Sequence, residues 1–275
     1  MQNVMQSTIE TLTQITPLEA ELQLRSKCQL PSVDALKQLM RHISGAIFPH
    51  FFGTDMHVDV SSVYAILRDQ IACGIAATQQ CQPTSEAHNL ALQFVHHLPD
   101  IKQLLLTDIA AVTHNDPAAT SGAEAVFCYP GIRAMLHYRT AHELVALGVP
   151  MLPRIISELA HADTGIDIHP AAQIGPYFAI DHGTGIVIGE TAIVGHHVML
   201  YQGVTLGARN FQYDNQGHPM NIPRHPIVED NVTIYSNTSV LGRITIGHDS
   251  IIGGNIWLTH DIPPHSRITQ AGQKE

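Results

Sequence analysis

The stretch from Ile227 to Leu258, IVEDNVTIYSNTSVLGRITIGHDSIIGGNIWL, places an aliphatic residue at every sixth position: Val228, Ile234, Val240, Ile246, Ile252 and Leu258. The same beat runs upstream through Ile188, Val194, Leu200 and Leu206, and it begins with Ile168, Ile174 and Ile180. A helical stripe recurs at about 3.6 residues and a half-buried strand at about 2, so neither sustains this interval. Six residues per unit is the mark of a parallel β-helix built from hexapeptides. Two places before the aliphatic residue stands a small or branched one, such as Ala192, Val198, Val204, Val232 or Ile256, and a glycine often follows it, as at Gly175, Gly189 and Gly253. Stacked coils bury the ladder while glycines relieve crowding at the corners.

Two interruptions break the beat. One is a two-residue slip around Asp181-His-Gly-Thr-Gly185; the other is a long excursion between Leu206 and Val228. A solenoid accommodates insertions only at its corners, so both segments are expected to project and to form its binding face. The Asn215-Gln-Gly217 stretch, flanked by Phe211 and Tyr213, predicts an ordered hairpin or lid within the projecting loop at 208–223.

Residues before this region read as helices. Ser32 to Ile47 keeps one apolar face and stops before Pro49; Val60–Ala77 and Ile101–Val112 repeat the pattern. Ser121 and Glu124 resemble a capping box, Ile132–Leu147 ends at Gly148 and Pro150, and a short helix follows over Leu152–His161. The expected architecture is α+β and multidomain: a helical N-terminal domain over 1–163 and a β-helical domain over 164–275, with helices capping one end of the stack or mediating assembly.

The net charge of -10 lacks the basic patch that nucleic acid or an anionic membrane requires. Cys28, Cys73, Cys81 and Cys128 form no C-x-x-C pair, which suits a reduced compartment. Met1 to Ala20 does not read as a secretory leader, and no apolar run approaches the ~20 residues that span a bilayer. The expectation is a cytoplasmic protein without a nucleic-acid or membrane partner.

Asp167-Ile-His-Pro-Ala-Ala172, Asp181-His-Gly-Thr-Gly-Ile-Val-Ile-Gly-Glu-Thr191, Gly203-Val-Thr-Leu-Gly207 and Arg224-His-Pro226 follow one another on this scaffold, preceded by Asn115-Asp-Pro-Ala118. Together they resemble the serine O-acetyltransferase family over roughly Asp116 to Ser266, and before Asp116 in general layout. The resemblance implies a left-handed β-helix, a homotrimer or dimer of trimers with active sites between subunits, and acetyl transfer from acetyl-CoA to L-serine for cysteine biosynthesis. Acetyl-CoA would be a co-substrate, with no tightly bound cofactor and no metal. Periodicity alone does not supply the hand.

An alcohol is a poor nucleophile at neutral pH and needs a base. His182, lifted by the slip, is the candidate, and the resemblance assigns Asp167 as the carboxylate that holds its imidazole. Taken alone, Asp167 reads as a turn residue and His182 as a solvated corner histidine. Serine is a zwitterion: Asp116 and Asp181 resemble the family's ammonium-side carboxylates, and Arg224 and His225 its carboxylate-side donors. Gly207, Ala208, Ser236 and Gly254 correspond to positions along which the pantetheine arm would lie, with backbone N–H groups available to an oxyanion. Alternative readings are an acyltransferase for another hydroxyl or amine, a zinc carbonic anhydrase using His182, His196, His197, His218 and His225, and a scaffold without turnover. After Pro263-Pro-His-Ser266 the sequence lacks the family's longer tail, so no stable complex with O-acetylserine sulfhydrylase is expected. Cysteine, a serine mimic, is expected to occupy the serine pocket.

Overall fold

The computed structural model describes residues 2–22, 28–79 and 84–270, and Cys81 lies outside them. Helices fill the first part: α1 (Gln2–Thr13), α2 (Pro17–Glu21), α3 (Val33–Ile47), α4 (Pro49–Phe52), α5 (Met56–Gln79), α6 (Thr84–Asn115), α7 (Gly122–Cys128), α8 (Pro130–Ala146) and α9 (Leu152–Thr164). The Ser32 hydroxyl caps α3 by accepting from Ala35 N, and Leu36, Leu39, Met40, Ile43 and Ile47 bury its apolar face. Pro130 sits in the first turn of α8, where its missing N–H costs nothing, so this helix starts two residues before the expected Ile132. Helix α6 absorbs Pro99 and extends well beyond the expected Ile101–Val112. Ser121 does cap α7, but Glu124 reaches back to Thr120 N at 2.7 Å, which shifts the reciprocal contact by one residue. No helix among the described residues is long and apolar enough to cross a membrane.

From Asp167 onward the chain forms a left-handed parallel β-helix of about five coils. Its strands are β1 (Asp167–Ile168), β2 (Gln173–Ile174), β3 (Ala179–Asp181), β4 (Val187–Ile188), β5 (Ile193–Val194), β6 (Met199–Tyr201), β7 (Thr205–Gly207), β8 (Ile227–Val228), β9 (Thr233–Ile234), β10 (Ser239–Leu241), β11 (Thr245–Ile246), β12 (Ile251–Ile252), β13 (Trp257–Leu258) and β14 (Arg267–Ile268). They stack into three faces: β1-β4-β7-β10-β13 first, β2-β5-β8-β11 second, and β3-β6-β9-β12-β14 third. On the first face Ile168 pairs with Ile188, Ile188 with Leu206, Leu206 with Val240, and Val240 with Leu258. The partners are 20 residues apart across the slip, 18 in regular coils and 34 across the excursion, so both insertions leave the ladder in phase. Every aliphatic residue of the six-residue beat is buried, and so are the small or branched residues two places earlier.

The first coil is closed by helices. Tyr138 of α8 donates its hydroxyl to Ala172 O at 2.6 Å and accepts from Ile174 N at 3.1 Å. Arg139 donates to Ile174 O at 2.5 Å and Gly175 O at 2.7 Å, while Asp108 of α6 pairs with Arg139 at 3.0 Å and accepts from Phe178 N at 3.1 Å. Ser157 of α9 donates to Ile168 O. Strand-edge groups that would otherwise lack partners are thus satisfied by buried side chains.

Candidate active site

Strand β3 carries Asp181 to the corner where the third face turns into the first, and the slip follows at once. The chain takes His182 at φ 56°, Gly183 at φ 90° and Gly185 at φ 81°. A β-carbon on Gly183 would also lie 2.5 Å from Ile166 Cδ1, so both backbone and space demand glycine. Asn237 and Asn255 share the left-handed conformation higher on this corner, so the backbone of His182 is a property of the corner. Its surroundings set it apart. The imidazole is 73% exposed, and Nε2 lies 3.9 Å from Asp181 Oδ1.

Asp116, in the turn after α6, faces the same corner, where His182 is the least of the influences that favour its charged form. Its two oxygens are pinned: Tyr129 donates its hydroxyl to Oδ2 at 2.6 Å, and Ala118 N donates to Oδ1 at 2.8 Å. The Tyr129 bond, followed by that from Ala118, holds the Asp116 carboxyl below its usual range. The same bond pushes the Tyr129 phenol up to about 12, so it remains a donor. Tyr201 stands in register with Asp181 on the next coil, and Tyr235 stacks on Tyr201 with centroids 4.7 Å apart. Two carboxylates, an exposed imidazole and three phenols therefore surround one corner. Such a set suits an ammonium group beside a hydroxyl that must lose a proton.

A second group occupies the next corner, where the first face turns into the second. Thr191 organises it: its hydroxyl accepts from Arg224 N at 2.9 Å and His225 N at 3.1 Å, and its own N–H donates to His225 Nδ1 at 3.0 Å. Because a backbone N–H only donates, Nδ1 accepts and the neutral ring carries its proton on Nε2. Burial, seconded by Arg224, holds the His225 imidazole down to about 4. Arg224 Nη2 pairs with Glu190 Oε2 at 2.6 Å. Burial alone would raise the Glu190 carboxyl, yet the Arg224 guanidinium outweighs it and keeps it low.

The excursion rises from this second corner as a hairpin. Tyr213 bridges Pro219 antiparallel, Asp214 N donates to His218 O at 2.9 Å, and Gly217 turns at φ 83°. Beneath it lies a cleft of about 270 Å³ lined by residues that include Arg209, Ile222, Arg224, Gly242 and Arg243.

The expected coenzyme positions divide between the corners. Gly207 ends β7, where a β-carbon would stand 2.9 Å from Leu241 Cδ2, and Ala208 opens the hairpin segment. Ser236 and Gly254 stack on the His182 corner, with Asn255 N donating to Ser236 O at 2.8 Å and only 3.1 Å between that oxygen and a β-carbon on Gly254. Asp167 is half-buried in β1, in register with Val187, and its carboxylate groups with Glu158 and His161 of α9. Among the described residues it makes no hydrogen bond to His182 within the chain.

The phenols of Tyr129 and Tyr201 feel the carboxylates of Asp116 and Asp181, whereas the imidazoles of His169 and His225 feel Glu190 and Arg224. Within one chain the polar residues therefore fall on two separate corners. Of the five histidines of the zinc reading, His197 stacks on Tyr177 at the third corner beside His196, and His218 pairs with Asp214 in the hairpin, so these three stand apart from His182 and His225. Sequence reasoning missed the holders Tyr129, Glu190 and Thr191. The last two end the quoted motif, whereas Tyr129 lies 13 residues from Asp116 across α7 and gave no signal.

No protein-family model matches the chain. It is 43% identical over 262 residues to the plasmid serine acetyltransferase of Synechococcus elongatus, covering 88% of this chain and 82% of that one. The serine acetyltransferase of Mycobacterium tuberculosis is 45% identical over 161 residues, 58% of this chain and 67% of the relative. Among solved structures, serine acetyltransferase 1 of Entamoeba histolytica in complex with L-cysteine superposes with a TM-score of 0.76 at 33% identity, covering 89% of each chain. Neisseria gonorrhoeae serine acetyltransferase in complex with serine gives 0.59 at 25% identity, covering 84% of this chain and 94% of that one. With that similarity added to the solenoid and its polar corners, the chain belongs to the serine acetyltransferase family.

Proposed function

We propose that the protein transfers the acetyl group of acetyl-CoA to the hydroxyl of L-serine, giving O-acetyl-L-serine, in the cytoplasm and as a homotrimer or dimer of trimers. The observation that carries this reading is the division of the polar residues between two corners of one chain. The His182 corner supplies a base and carboxylates for an ammonium; the His225 corner supplies Arg224 for a carboxylate. A zwitterionic amino acid needs both, and in a symmetric ring the first corner of one copy meets the second corner of the next. Free thiols at Cys73 and Cys128 suit a reducing compartment.

In this reading serine binds with its ammonium toward Asp116 and Asp181 and its carboxylate against Arg224 and His225 of the adjacent copy. His182 takes the hydroxyl proton as the serine oxygen attacks the thioester carbonyl. The tetrahedral intermediate collapses, the C–S bond breaks, and His182 returns the proton to the departing thiolate. Asp167 is the carboxylate that the family resemblance assigns to orient the imidazole. The pantetheine arm runs along Gly207 and Ala208 on one copy and Ser236 and Gly254 on the other, where the absence of bulk permits close approach. No resident cofactor is required.

The test is coenzyme A thiol release from acetyl-CoA with L-serine, L-homoserine, L-threonine and an amino sugar supplied in turn. The reading expects release selective for L-serine. Preference for another acceptor would replace it.

A further inference from the structure

The third corner, where the second face turns into the third, carries neither the His182 nor the His225 group. Near the C-terminal end of the stack it brings together His248, Asp249 and His265, with one ligand atom from each within 4.8 Å of the others. Asp249 Oδ2 lies 2.7 Å from His248 Nδ1 and 3.7 Å from His265 Nδ1. Around a tetrahedral zinc ion with bonds of about 2.0–2.1 Å, neighbouring ligand atoms stand roughly 3.3 Å apart. The two separations from Asp249 straddle that value and the imidazole nitrogens lie within 4.8 Å of each other, so side-chain rotations would bring all three onto one ion.

The scaffold fixes this placement. Asp249 and His265 occupy left-handed positions on successive coils, at φ 57° and 60°, and His265 N donates to His248 O at 2.8 Å. The imidazoles meet edge to face, with centroids 4.9 Å apart. One coil below, Asn231 donates its side-chain amide to Asp249 Oδ1 at 3.0 Å. That contact sets the plane of the carboxylate and leaves Oδ2 for the imidazoles, the outer-shell arrangement that orients a metal ligand. Two imidazoles and one carboxylate select borderline transition metals over magnesium or calcium, which prefer oxygen ligands.

We propose that His248, Asp249 and His265 form a binding site for a divalent transition-metal ion of the zinc class, completed by water on its open side. The ion would tie two successive coils together where the stack ends, stabilising the terminal coil. This site does not depend on the acetyl-transfer reading.

The full chain, stripped with chelator, is titrated calorimetrically with zinc chloride and melted with and without zinc. The proposal expects the parent to bind one equivalent more than His265→Ala or Asp249→Asn, or to bind it more than about tenfold tighter, since even outer-shell changes cost that much. Asp249→Asn keeps the size of the corner side chain and guards against a folding defect in His265→Ala. Zinc should raise the melting temperature of the parent by more than that of either variant. Identical zinc isotherms and melting shifts in parent and both variants would overturn the site.

Discussion

Gly189 lies flat against the ring of His225: a β-carbon on it would stand 2.0 Å from His225 Cδ2 and 2.1 Å from Nε2. The imidazole occupies the space that any larger residue would fill. Gly189→Ala must therefore push His225 off Thr191 and disturb the backbone that presents Arg224. Overpacking of this kind costs about 1–3 kcal/mol. We expect the variant to lose that stability in urea unfolding and to bind L-serine less well; an alanine variant with parental stability and KM would show that the ring is not fixed there.

Tyr129 is hydrogen-bonded to the candidate site through Asp116 Oδ2. Removing its hydroxyl in Tyr129→Phe leaves Asp116 Oδ2 unpinned, and hydrogen bonds to charged groups are the strong ones. The expected result is a rise of about tenfold in KM for L-serine with kcat little changed. A fall in kcat at constant KM would place Tyr129 in the chemical step instead.

Stability should respond to acid through His225. Its folded-state pKa is depressed to about 4 from 6.5, so between these values the unfolded chain binds more protons than the folded one. This contribution is complete above about pH 6.5 and is lost as pH falls toward about 4. Melting temperatures recorded from pH 7 to 4.5 should fall less steeply for His225→Asn than for the parent. Parallel curves would contradict the assignment.

The pair between Asp108 and Arg139 has side-chain exposures of 0% and 3% and joins α6 and α8 to the first coil. Asp108→Asn leaves a buried guanidinium without its counter-charge, a change that costs about 3–5 kcal/mol. Chemical unfolding should show it as a lower midpoint. A loss below about 1 kcal/mol would mean that the carbonyls of Ile174 and Gly175 suffice for Arg139.

The solenoid was legible because its period is a covalent property of the chain: Ile188, Leu206, Val240 and Leu258 announce one face, and the structure pairs them in that order. The hairpin was equally local, since Gly217 and the Asp214 side chain define the turn within a few residues. What could not be read was the meeting of distant segments. Tyr138, Arg139 and Asp108 look like ordinary helical residues until the first coil lies against them, and Tyr129 gains meaning only through Asp116. His182, Asp181, Arg224 and His225 were picked out by motif, but their distribution over two corners follows from the coil geometry. The corner of His248, Asp249 and His265 escaped the sequence reading because its members meet only through the stacking of coils.

The measurement that tests the shared site most directly mixes two inactive variants, His182→Ala and Arg224→Ala, co-refolded or co-expressed at equal amounts. Each variant alone is expected to lose at least about a hundredfold in kcat/KM, from the base in one and the carboxylate fork in the other. If the two corners of neighbouring copies form one site, roughly a quarter of the interfaces in a random mixture pair an intact His182 with an intact Arg224. Activity should then return to a comparable fraction of the parent. A mixture no more active than its parts, with mixed oligomers shown to form, would place both residues in a site within one chain and contradict the account.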